Sequence, residues 1–91
     1  MGLLKDEHRV RVGDAEVVVT GESGLVEATW TLAVDGDEVD RAKASGRFEL
    51  RGRLPDGSGV AADIHQDAFG PTKVVVLHDD TEITRFTGFV A

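Results

Sequence analysis

Asp63, His65 and Asp67 stand on alternate positions, with Ile64 between the first two. Alternate side chains of an extended chain share a face. A carboxylate, an imidazole and a second carboxylate would therefore project together, a donor set suited to a divalent cation. No fourth ligand accompanies them, and a solvated outer strand face produces the same pattern. The acidic stretches Asp35-Gly36-Asp37-Glu38 and Asp79-Asp80 lack the spaced oxygen ligands of an EF-hand calcium loop, and read as turns. Ser23 and Ser58 sit beside glycines, but neither stands in Gly-x-Ser-x-Gly. No glycine-rich loop precedes a helix to cradle a phosphate. His8, His65 and His78 fall on three different expected strands, with His65 placed near Lys73 and away from His78. Nothing here assembles a nucleophile, a base and an orienting group. The expectation is a non-enzymatic chain with no catalytic residue, metal or cofactor.

The most distinctive polar feature is cationic. Of seven arginines, Arg41, Arg47, Arg51 and Arg53 fall within a short central span, with Lys43 among them. Arg47, Arg51 and Arg53 share one face of an alternating segment, and Arg41 and Lys43 are expected on the neighbouring strand. The formal net charge is −7, so this is a local reversal of sign. Guanidinium groups in a row suit a carboxylate-bearing partner. Pairing with Glu38, Asp40 and Glu49 is the plainer account of the same residues. The five cations are the candidate partner-binding residues.

What must position them is a set of strands. The chain has 91 residues and no cysteine, which suits one small domain without disulfides or thiolate metal sites. The acidic balance disfavours nucleic acid. No apolar run approaches membrane-spanning length, and Asp6 stands where a myristoylation motif after Gly2 wants Ser or Thr. A soluble cytoplasmic protein without membrane contact is expected. Residues 1–7 read as a flexible tail before a single domain over residues 8–91.

Trp30-Thr31-Leu32-Ala33-Val34 alternates, and Asp35-Gly36 supplies the positive φ of a tight hairpin turn. Strands are expected over 8–12, 16–20, about 25–34, 38–43, 47–54, 59–66, 72–78 and 82–86, punctuated by glycine, proline and aspartate turns. The fold expected is an all-β antiparallel sandwich of about eight strands joined by hairpins. No segment carries a helical period of useful length. Val34–Arg41 aligns with His78–Arg85 at an offset of 44 residues. That fits either an internal two-fold repeat or two ordinary hairpins. The expected core is Val10, Val18, Trp30, Leu32, Val34, Phe48, Leu50, Val60, Ile64, Val74, Val76 and Ile83.

Trp30 to Val39 with its Val34-Asp35-Gly36 turn, Phe48-Glu49-Leu50-Arg51-Gly52, Val60 to Ile64, and Val76 to Phe86 resemble the Fas apoptotic inhibitory molecule family in order and spacing. The match covers most of the chain after residue 8. The chain departs from the family at Val74, Val76 and Ser45-Gly46, where aromatics are usual, and at Asp79-Asp80, where an Asn-Gly-like turn is usual. The resemblance implies a β-sandwich without a catalytic site that works by protein–protein contact, in animals against cell death and aggregation. The resulting expectation is a protein-interaction module that suppresses protein aggregation, monomeric or a homodimer through the edge strand Glu82–Phe86. A small-molecule or carbohydrate-binding sandwich is the alternative, disfavoured by one tryptophan and no tyrosine.

Overall fold

The structure, a computed structural model, describes residues 5–22, 24, 27–43, 46–66 and 72–89. Eight strands follow in chain order: β1 (Lys5–Val12), β2 (Ala15–Glu22), β3 (Thr29–Val34), β4 (Asp37–Lys43), β5 (Gly46–Arg53), β6 (Gly59–Gln66), β7 (Thr72–His78) and β8 (Thr81–Phe89). They form two four-stranded antiparallel meanders, β1-β2-β3-β4 and β5-β6-β7-β8. The inner faces of the two sheets enclose one core. This is the expected all-β sandwich. Ser23, Leu25, Asp67 and the loop to Pro71 lie outside the described residues.

Trp30 is fully buried and meets Phe48 of the second sheet edge-on, with ring centroids 6.4 Å apart. Leu32, Val34, Leu50, Val60, Ile64, Val74 and Val76 join it, as the alternation predicts, and Val10 and Phe48 are half-buried against this cluster. Gly21 pairs with Trp30 across β2 and β3. It leaves room for the indole, since a Cβ there would fall 2.5 Å from Trp30 Cζ3.

Two core assignments are corrected. Val17 and Val19, not Val18, line the interior. Three consecutive valines hide the phase of a strand, and register decides it: Val17 pairs with Val34 and Val19 with Leu32. Val18 is covered on the outer face, between Arg9 and Ala33. Ile83 is 41% exposed. In β8, Glu82 pairs with Leu77 and Thr84 with Val76, so Ile83 is the extra residue of a bulge. The phase shifts there, and Phe86 packs against the core in its place. The first strand also begins at Lys5, inside the expected tail, with Asp6 opposite Gly21 and Glu7 opposite Thr20.

The repeat is present in the geometry. Asp35 and Asp79 adopt φ of 50° and 49°. Asp35 N–H donates to the Glu16 carbonyl at 2.8 Å while its Oδ1 accepts from Glu16 N–H at 2.9 Å. Asp79 does the same with Gly59, at 3.0 and 2.8 Å. Each returning strand is bulged at the matching place, at Val39 in β4 and Ile83 in β8. Residues three apart on a regular strand face opposite ways, but the extra residue brings Glu38 onto the face of Arg41 and Glu82 onto that of Arg85. Both pairs close at 2.8 Å.

Candidate interaction face

The five expected cations divide between two surfaces. Arg47, Arg51 and Arg53 stand along β5 on the outer face of the second sheet, opposite His65, Ala61 and Gly59 of β6. Arg41 and Lys43 stand on the outer face of the first sheet, opposite Thr31 and Thr29 of β3. The chain changes sheets between β4 and β5, so neighbours in sequence are not neighbours on the surface.

The β5 row is exposed, with Arg47 and Arg51 side chains 71% and 79% accessible. Arg47 reaches Asp63 at 3.5 Å, and Arg51 Nε donates to Glu49 of its own strand. Arg53 donates to the Gly57 carbonyl at 3.2 Å, and among the described residues no carboxylate pairs with it. The acids Glu38 and Glu49 therefore pair within their own strands, not across them. Asp40 acts differently. Its Oδ2 accepts the backbone N–H of Arg51 at 2.9 Å, satisfying a donor that an edge strand would leave open. Val39 covers Gly52 beside it, so β4 seals this flank of β5. On the opposite flank, His8 of β1 stacks on Phe86 of β8 with centroids 4.5 Å apart.

Next to the arginine row lies an open groove of about 480 Å³. Glu49, Arg51 and Arg53 form one wall, the outward side chains of Ala61 and Leu77 the floor, and Asp79 and Asp80 of the β7–β8 turn the far wall. Gly57 and Gly59, without side chains, also line it.

Asp63 and His65 share the outer face of β6, 3.7 Å apart. Asp63 is also engaged by Arg47, and Asp67 is outside the described residues. Among the described residues no three His, Cys, Asp or Glu groups could hold a metal ion. His65 pairs with Lys73, as expected, and His78 lies at the far end of β7.

Ser58 and His78, 20 residues apart and without a shared motif, meet in the fold. His78 pairs with Val60, at the start of β6, and that register carries Ser58 to it. Ser58 Oγ donates to Asp56 Oδ1 at 2.5 Å, so it accepts from His78 Nε2 at 2.9 Å. Ser58 N–H donates to the same carboxylate at 2.8 Å. These two donations hold the Asp56 carboxyl below its ordinary range. A catalytic serine would instead give its proton to the imidazole, whose other nitrogen a carboxylate would orient. Here the nearest acid on the ring, Asp79, is 3.9 Å from the same Nε2. The trio clasps the Pro55–Ser58 turn to the end of β7.

Set against known protein families, curated proteins and solved structures, the chain matches none. Among the described residues no helix is long and apolar enough to cross a membrane.

Proposed function

We propose that the chain is a non-enzymatic protein-interaction module, cytoplasmic, that takes an acidic segment of a partner on the outer face of its second sheet. The observation that carries this is the exposed row Arg47, Arg51 and Arg53 on one strand of a protein with net charge −7. Arginine binds carboxylates through paired N–H donors, and opposite potentials steer encounter. The reading agrees in kind with what resemblance to the Fas apoptotic inhibitory molecule family implies. Sugar binding has less support, because stacking needs exposed rings. Among the described side chains, Trp30 is buried, and Phe48 and Phe86 pack against the core.

The test is capture of an acidic peptide or partner by the whole chain and by the double variants Arg51→Glu/Arg53→Glu and Arg41→Glu/Lys43→Glu. The first should lose capture while keeping its far-UV spectrum and melting curve. The second should keep capture. Equal capture by all three proteins would remove the proposal.

A further inference from the structure

Resting on that reading, we propose that the groove beside the arginine row recognises a mixed-charge peptide segment, with an acidic, an apolar and a basic side chain in that order on alternate positions. The walls differ in sign: guanidinium groups of Arg51 and Arg53, with Glu49 beside Arg51, stand on one side, and carboxylates of Asp79 and Asp80 on the other. The floor between them is apolar, from Ala61 and Leu77. A purely acidic segment would satisfy the first wall and be repelled by the second.

Local bonding sharpens the contrast. Glu49 already engages Arg51, whereas Arg53 has no carboxylate partner among the described residues. Asp79 uses Oδ1 to accept Gly59 N–H. Among the described residues no cation pairs with Asp80, which is exposed on the turn with φ of 67°. Arg53 and Asp80 are thus charges of the groove, one on each wall, that make no ion pair among the described residues.

Dimensions fit a peptide lying across the strands. The arginine row on β5 and the strand leading into the acidic turn, β7, are separated by β6 alone, a distance of about 10 Å. In an extended peptide, side chains at i, i+2 and i+4 share a face and span about 13 Å. Arg51, Ala61 and Leu77 lie in one row across the sheet, and Arg53, Gly59 and Asp79 lie in the next, so an acid at i meets Arg51 and Arg53, an apolar residue at i+2 rests on Ala61 and Leu77, and a lysine or arginine at i+4 reaches Asp80.

The experiment is an NMR titration of the whole isotope-labelled chain with two end-capped peptides. One has the order Glu-Gly-Leu-Gly-Lys and the other Glu-Gly-Leu-Gly-Glu. The expected result is that the first binds about two- to fivefold more tightly, as one exposed ion pair gives, and shifts the amides of Arg53, Ala61, Leu77 and Asp80. Asp80→Asn should erase the difference between the peptides without unfolding the turn, because asparagine also tolerates positive φ. Equal binding of both peptides with shifts at Arg51 and Arg53 would overturn the mixed-charge inference and leave the acidic-partner reading standing. No shift at Arg51 or Arg53 with either peptide would overturn both.

Discussion

Gly21 faces Trp30 in the first sheet, and an added Cβ would fall 2.5 Å from Trp30 Cζ3, 2.7 Å from Cη2 and 2.9 Å from Cε3. Carbon atoms in contact rest about 3.5–4.0 Å apart, so the indole or the strand must move by about 1 Å. The indole is wholly buried in an interior packed as densely as an organic crystal. Overpacking of this kind costs about 1–3 kcal/mol. Removing a glycine stiffens the unfolded chain and returns about 0.4–1 kcal/mol, so Gly21→Ala should lose about 1–2 kcal/mol net. For a domain of this size that lowers the melting temperature by roughly 4–16 °C. Gly52 is the comparison. A Cβ there would also fall 2.5 Å from a side chain, Val39 Cγ2, but Val39 is 40% exposed at a bulge and can turn aside. Gly52→Ala should cost less than half as much. Urea unfolding of both variants, of Trp30→Phe and of Gly21→Ala/Trp30→Phe measures this. The double variant should recover at least about 0.5 kcal/mol relative to the sum of its parts. Strict additivity, or a Gly52 variant as unstable as the Gly21 variant, would refute the reasoning.

Trp30→Ala should cost about 3–5 kcal/mol, and melting close to that of the parent would show that the core does not depend on the indole. Asp40→Ala removes the acceptor for Arg51 N–H; hydrogen exchange at that amide should quicken about five- to tenfold, and an unchanged rate would show that the bond is not held in solution. The Asp56 carboxyl is lowered by hydrogen bonds from Ser58, and that of Glu82 by a hydrogen bond from Arg85. Lowered folded values favour the ionised form in the fold. This stabilisation is present above the unfolded values, 3.8 and 4.5, and is lost as pH falls through the folded ones. Urea midpoints followed from pH 6 to 2 should therefore drop more steeply in the parent than in Asp56→Asn/Glu82→Gln, and superimposable curves would contradict it.

Strand positions were legible wherever apolar and polar residues alternate without interruption. Trp30-Thr31-Leu32-Ala33-Val34 and Arg47 to Leu54 gave the inner and outer faces correctly. Phase was lost in two places for two reasons. Val17-Val18-Val19 offers no contrast between faces, so only pairing with Val34 and Leu32 selects the inner pair. Thr81 to Thr87 alternates on paper, but the bulge at Ile83 inserts a residue and reverses every assumption before it. A bulge depends on tertiary fit, and nothing at Val39 or Ile83 marks it in the sequence. The bulge also changes the prospects of β8 as a docking edge. Irregular pairing and the exposed Glu82–Arg85 pair are defences of an edge strand, which lowers the appeal of strand addition there.

The basic cluster shows the same limit at the level of topology. Arg41, Lys43, Arg47, Arg51 and Arg53 would form one patch if β4 and β5 were paired neighbours in a sheet. They are instead the facing edges of two sheets, joined by Asp40 and by Val39 over Gly52. Stacked sheets lie about 10 Å apart, and their outer faces are further apart than that. This exceeds the screening length of about 8 Å at physiological salt. Arg41 and Lys43 therefore add little to the potential above β5, and Arg41 is satisfied by Glu38. The field a partner meets is that of Arg47, Arg51 and Arg53, tempered by Glu49 and Asp63, with the acidic β7–β8 turn at its end. A surface graded in sign over such a short distance favours a ligand graded the same way, and this separates the groove from a simple basic patch.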